Sequence, residues 1–120
     1  MRRELRFLSD ASVHVVDDSK KEAKANLQNV SLNGLAIKSF GYLDIEPNSS
    51  YQISIIPEKE TNIEKIQLET KSRWIKIDKT KMESGFSIIE PLGKTEFEDY
   101  LELLAMRGKV AAFPDEEEKA

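Results

Sequence analysis

The sequence predicts a small, mostly β domain: a six-stranded antiparallel barrel followed by one C-terminal α-helix. Three observations carry that expectation. Apolar and polar residues alternate with a period of two in segments between Phe7 and Ile89. Polar turns rich in Gly, Pro, Asn and Asp separate those segments. Helical spacing sets in only after Pro91. With one apolar face per strand, curling the sheet into a barrel and packing the helix on it is the economical way to bury those faces.

The first strand spans Phe7 to Val16, with Phe7, Ser9, Ala11, Val13 and Val15 on one face. Asp17 to Lys21 is a polar turn. Lys24 to Val30 and Gly34 to Phe40 read as the second and third strands, joined by the Ser31-Leu32-Asn33-Gly34 turn. Gly41 to Ser50 is a loop, Tyr51 to Ile56 the fourth strand, and Glu58 to Asn62 another turn. Ile63 to Ile77 is long enough for one bent strand. Asp78 to Ser84 turns the chain into a sixth strand, Gly85 to Ile89. Thr95-Glu96-Phe97-Glu98 fits a capping box, in which Thr95 and Glu98 each satisfy a free amide of the other. A helix from about Glu96 to Arg107 follows, with Phe97, Leu101, Leu104 and Ala105 on its buried face. Gly108 suits a left-handed stop.

The chain has 120 residues, which suits one domain. Charged residues are 33%, above the usual share of roughly 25%, so the surface is well solvated. With no Cys, disulfides, thiolate zinc sites and a cysteine nucleophile are excluded, and one His argues against a histidine metal site. The apolar stretches run about four residues, as in Val110-Ala111-Ala112-Phe113, far short of the roughly 20 needed for a spanning helix. No apolar run follows Arg2-Arg3-Glu4 as a secretory signal would require. A cytoplasmic location without membrane insertion is expected.

Formal net charge is -4, unevenly spread. The first seven residues carry Arg2, Arg3 and Arg6 against Glu4; the last eight carry Asp115, Glu116, Glu117 and Glu118 against Lys119. An acidic chain lacks the broad basic surface that duplex nucleic acid needs, and a nucleic-acid-binding barrel would show more exposed aromatics than an 8% aromatic content supplies. A local arginine cluster on such a body suits a small anion. The expected organisation is a mobile arginine arm at residues 1–8, a barrel and helix over 6–108, and an acidic, disordered tail at 109–120.

Two motifs carry the functional reading. Arg2-Arg3-Glu4-Leu5-Arg6 contains R-x-x-x-R. Guanidinium grips phosphate, stacks on aromatic faces and bonds the O6/N7 edge of guanine with two parallel hydrogen bonds. Asn29-Val30-Ser31-Leu32-Asn33-Gly34 is N-x-S-x-x-G between two strands. Asn and Ser offer side-chain donors and acceptors there, and Gly permits positive φ and close ligand approach. An ordinary hairpin whose polar residues satisfy their own backbone would read the same way.

Both motifs in this order resemble the PilZ family. The resemblance extends through Gly34-Leu35-Ala36-Ile37, Lys71-Ser72-Arg73-Trp74-Ile75, Ser84-Gly85-Phe86-Ser87-Ile88 and the terminal helix, covering roughly residues 2 to 107. It implies a bacterial receptor for cyclic di-GMP, with the barrel-plus-helix fold. Arg2 and Arg6 would take guanine edges and phosphates, with Arg3 assisting. Asn29, Ser31 and Gly34 would hold a guanine from the barrel side. Trp74 sits where some members place an aromatic near the ligand, and it equally fits a barrel-wall tryptophan.

The implied action is switching: the ligand orders the arm and changes the surface offered to a protein partner or to a second copy. The alternative is a PilZ-like adaptor that binds protein and ignores the nucleotide. An enzyme is not expected. His14 has no catalytic companions in view, and Asp17-Asp18 and Glu58-Glu60 are carboxylates in turns. No metal and no cofactor are implied; the ligand is cyclic di-GMP.

Overall fold

The computed structural model describes residues 5–110. Seven strand segments, β1 (Phe7–Leu8), β2 (Ser12–Val16), β3 (Glu22–Val30), β4 (Gly34–Phe40), β5 (Ser50–Ile56), β6 (Ile66–Asp78) and β7 (Lys81–Pro91), precede one helix, α1 (Lys94–Met106). All pairings are antiparallel. Each of β2, β5, β6, β7, β4 and β3 pairs with the next, and β3 returns to β2, so the sheet closes as a six-stranded barrel.

β1 and β2 are two stretches of the single first strand expected from the alternation. Both pair with β3, and the register slips by one between Leu8↔Asn29 and Ser12↔Asn26. Phe7, Ser9, Ala11, Val13 and Val15 are nevertheless all buried, as the alternation requires. At the break the Ser9 hydroxyl accepts from the Ala11 amide at 3.1 Å, replacing a ladder bond with a side-chain bond.

The barrel interior is filled by Val13, Val15, Leu27, Val30, Leu35, Ile37, Ile53, Ile55, Ile66, Leu68 and Phe86. The helix joins this core through Phe97, Tyr100, Leu101 and Leu104. Tyr100 Oη and Ser9 Oγ share a buried hydrogen bond of 2.5 Å, tying α1 to the β1–β2 break. Burial pushes the Tyr100 phenol above its ordinary value of 10.0, and the Ser9 bond opposes that shift.

Strand ends differ from expectation in several places, β6 beginning at Ile66 and not at Ile63, and three further differences bear on the fold. First come the helix start and its cap. Gly93, not Thr95, is the N-cap, and it makes no side-chain cap bond. Thr95 lies inside the helix, and Glu96 folds back until a Cβ at Gly93 would be 2.7 Å from its Oε1. Second, the stretch from Asp78 to Ser84 is a tight hairpin. Asp78 pairs with Lys81 around Lys79-Thr80, with Lys79 at φ 58. Lys-Thr carries no turn signal of the Asn-Gly kind, so the short loop was not legible. Third, β7 is longer than expected at both ends. The helix stop is as expected: Gly108 has φ 71, its amide donates to Ala105 O, and Lys109 donates to Leu104 O, a Schellman motif.

After that stop the chain returns to β1. Leu8 N donates to Lys109 O at 2.6 Å, and Phe7 bridges Val110. Phe7 and Leu8 are therefore strand, held between β3 and residues 109–110. Residues 1–4 and 111–120, with most of the arginine arm and the acidic tail, lie outside the described residues. No described helix is long and apolar enough to cross a membrane.

Candidate functional site

A cleft of about 510 Å³ opens on the outer wall of β3, β4, β7 and β6. Its floor follows from register. Asn29 pairs with Ala36, Ala36 with Gly85, and Gly85 with Trp74, so one cross-strand row runs through four strands. Residues directly opposite share a face, and the middle of this row is Ala and Gly. Gly34 lies on the same face as Ala36, two residues along β4. Small residues leave a depression; the larger end members form its walls.

Arg6 and Asn29 make one wall. Arg6 Nη1 donates to Asn29 Oδ1 at 2.8 Å, joining the two sequence motifs across 23 positions. β1 places Arg6, since Phe7 and Leu8 pair with Val30 and Asn29 on one side and meet Lys109 and Val110 on the other. Gly34 matters for space. Its φ is not positive; a Cβ there would meet Phe86 O at 3.1 Å and Arg6 Nη2 at 3.3 Å. The positive-φ role expected of this glycine is therefore replaced by close approach.

Trp74 and Arg73 make the other wall. Trp74 is 46% exposed and sits on the outer wall, so it is not a core residue. Its indole lies on Gly85 so closely that a Cβ there would be 2.1 Å from Nε1. Arg73 Nε donates to Ser87 Oγ at 2.6 Å.

Two β-bulges aim these residues. The β3–β4 register shifts between Leu27 and Asn29, and the β6–β7 register between Ser72 and Trp74. A bulge inserts one residue, breaks the period of two and re-aims its neighbours. In β6, Ile66, Leu68, Thr70 and Ser72 are buried alternately; then Arg73 and Trp74 are exposed in succession.

The site residues expected from sequence thus divide. Arg6, Asn29, Gly34 and Trp74 line one cleft. Ser31 does not line it: fully buried, its hydroxyl donates to Gly34 O at 3.2 Å and accepts from Gly34 N at 3.1 Å, clamping the turn that presents Gly34. Arg2 and Arg3 lie outside the described residues. Asn33, Arg73 and Ser87 line the cleft and were missed. Alternation after the buried Ser72 already turns Arg73 outward; the bulge, which has no local sequence signal, turns Trp74 outward as well and so sets the two side by side.

The electrostatics are one-sided. The described lining includes Arg6 and Arg73 and no Asp or Glu, in a chain of net charge -4. Guanidinium groups with no carboxylate beside them among the described residues favour an anion, and the flat indole offers a surface for a planar ring. His14 is elsewhere, bonded through Nδ1 to Glu22 at 2.8 Å. Among the described residues no group of acidic or histidine side chains is arranged to hold a metal.

The chain is thus an antiparallel barrel with a terminal helix and, on its outer face, a cleft walled by Arg6 and Arg73. Comparison with solved structures gives the class: the chain has the fold of the PilZ domain. It superposes on the PilZ domain with c-di-GMP of YcgR from Escherichia coli with a TM-score of 0.72 at 13% identity, over 89% of this chain and 93% of that one. Bacillus subtilis MotI/DgrA, an inhibitor of motility, matches with a TM-score of 0.73 at 19% identity, over 90% of this chain and 51% of that one. The MrkH–c-di-GMP complex of K. pneumoniae matches with a TM-score of 0.73 at 10% identity, over 91% and 53%. The chain therefore spans about half the length of MotI/DgrA and MrkH. No family model matches it, and no curated protein does.

Proposed function

We propose that the chain is a cyclic di-GMP receptor of the PilZ family that acts by switching and performs no catalysis. The observation that carries this reading is the Arg6–Asn29 hydrogen bond, which joins R-x-x-x-R to N-x-S-x-x-G at the edge of a cleft whose described lining includes Arg6 and Arg73 and no carboxylate. Cyclic di-GMP presents two phosphates and two guanines, so it needs both cations and planar donor forks; arginine supplies both. A cleft of about 510 Å³ is within the roughly 300–1,000 Å³ typical of small-molecule sites.

In this reading Arg6, with Arg2 and Arg3 from the preceding arm, takes phosphates and guanine edges. Asn29 and Gly34 meet a guanine from the barrel side, Ser31 fixes their turn, and Trp74 stacks. Solved neighbours that include YcgR and MrkH with c-di-GMP support the ligand assignment. Ligand binding orders residues 1–8 on the barrel and alters the surface shown to a protein partner or a second copy in a bacterial cytoplasm. Because β1 is already clamped between β3 and residues 109–110, the ordering concerns chiefly what precedes Phe7.

Isothermal titration with cyclic di-GMP, with GTP and cyclic di-AMP as controls, tests the reading. Saturable heat with cyclic di-GMP alone is expected. Absence of heat would leave the adaptor reading, in which the same fold binds protein without nucleotide.

A further inference from the structure

We propose that Arg73, steadied by Ser87, is a second cationic clamp of the cleft and contacts a ligand phosphate opposite Arg6. This rests on the receptor reading and adds to it a residue that neither motif contains. Three observations converge. Arg73 follows the buried Ser72 onto the outer face, and the β6 bulge brings Trp74 out beside it, so that both line the cleft. Its Nε donates to Ser87 Oγ at 2.6 Å, which fixes the plane of the guanidinium. Its terminal nitrogens have no hydrogen-bond or ion-pair partner among the described residues, which leaves the paired Nη donors of an anchored guanidinium for a bidentate acceptor.

The geometry then has a clear division. Arg6 uses Nη1 on Asn29, and Arg73 uses Nε on Ser87, so each retains donors for a ligand. Arg6 lies against Gly34 from the β3 side and Arg73 bonds Ser87 from the β6 side; Gly34 and Ser87 are cross-strand partners, so the two arginines flank that pair. Two uncompensated cations facing one cleft repel each other, and a ligand carrying two separated negative charges relieves that repulsion where one with a single charge relieves only half. Arg73 thus contributes selectivity for a doubly charged ring over singly charged nucleotides. Ser87 is a positioning residue: it acts through Arg73 and needs no contact of its own.

The test compares the parent chain with Arg73→Ala, Arg73→Lys and Ser87→Ala, titrated with cyclic di-GMP at low and moderate salt. Arg73→Ala is expected to weaken binding at least about tenfold, and to flatten its salt dependence. Arg73→Lys, which keeps the charge but loses the fork, recovers part of the affinity and the steeper salt dependence. Ser87→Ala gives a smaller loss than Arg73→Ala. Ligand-free melting stays unchanged in all three, because Arg73 is exposed. The Arg73 Nε–H resonance, assigned by its disappearance in Arg73→Ala, shifts as ligand is added to the parent. If the parent binds and Arg73→Ala matches it within twofold, with an unmoved Nε–H resonance, the clamp is refuted while the receptor reading stands. If the parent itself does not bind, the receptor reading falls and takes the clamp with it.

Discussion

The barrel carries opposite charge at two places. The cleft on β3, β4, β7 and β6 is lined by Arg6 and Arg73 without a carboxylate among the described residues. The opening near the end of β2 and the start of β5 is lined by Asp17, Asp18, Asp44 and Glu46, with Lys21 paired to Asp44 at 3.6 Å. Glu22 and Asn29 stand at these two ends of β3, seven residues apart, or roughly 23 Å along an extended strand. The acidic end is explained locally. Asp17 Oδ1 accepts from the amides of Ser19 and Lys21, each at 2.9 Å, so it closes its own turn. Among the described residues, Arg6 and Arg73 have no such local task beyond Asn29 and Ser87. Both regions are polar depressions of one barrel, but only one holds charged donors in excess of what the fold consumes.

The largest expected break in this contrast comes from the arginines. Changing Arg2 and Arg6 together to Ala removes most cyclic di-GMP binding, on the order of 2–6 kcal/mol if two bidentate guanine contacts act independently. Circular-dichroism melting should show the fold retained, since Arg6 is only half-buried and precedes the first strand.

Next is the seat of Trp74. Gly85→Ala puts a methyl where the indole lies and displaces the ring. If a guanine stacks on that ring, affinity falls by about 1–3 kcal/mol, and tryptophan emission in the ligand-free protein moves to the red. Unchanged emission would show that the indole does not depend on this glycine.

Tyr100→Phe touches the core and not the cleft. Loss of the Ser9 bond should cost about 1 kcal/mol of stability at neutral pH. The sign with pH follows from the raised phenol pKa. The neutral phenol is favoured in the folded state, so its contribution is complete below pH 10 and is lost as pH rises through the folded value. Denaturant unfolding between pH 9 and 11, within reach of the ordinary value of 10.0, should therefore show a steeper alkaline loss in the parent than in Tyr100→Phe.

The smallest effect is expected at the acidic end. Replacing Asp17, Asp18, Asp44 and Glu46 by their amides should change ligand affinity by under about 0.5 kcal/mol at physiological salt, because screening acts over about 8 Å. A large gain would mean that the acidic end opposes binding directly.

Much of this was legible in the sequence, for physical reasons. Val13 and Val15 against His14 and Ser12 report a half-buried strand because side chains alternate faces. The Schellman stop at Gly108 is a local requirement for positive φ. Asn29 and Gly34 were found because a polar turn between strands is a local pattern, and Arg6 because guanidinium groups clustered on an acidic chain stand out. What was not legible depends on partners far away in sequence. The bulges beside Gln28 and at Arg73 exist because of how β3 fits β4 and β6 fits β7, and Arg73 and Ser87 were missed because only the pairing of β6, β7 and β4 brings them beside Gly34. The helix begins at Lys94 because the chain leaving Pro91 turns at Gly93, and a Thr-Glu spacing does not encode that approach. Ser31 was read as a ligand contact because a turn serine offers a donor and an acceptor; that it also bonds Gly34 follows from the shape of the turn and not from the residue type.

Backbone amide and indole NMR shifts during titration with cyclic di-GMP test the central claim most directly. The account predicts shifts concentrated at Arg6, Asn29, Gly34, Gly85 and the Trp74 indole, with Asp17, Asp18 and Asp44 unmoved. Shifts centred on the acidic end, or a spectrum indifferent to the nucleotide, would contradict it.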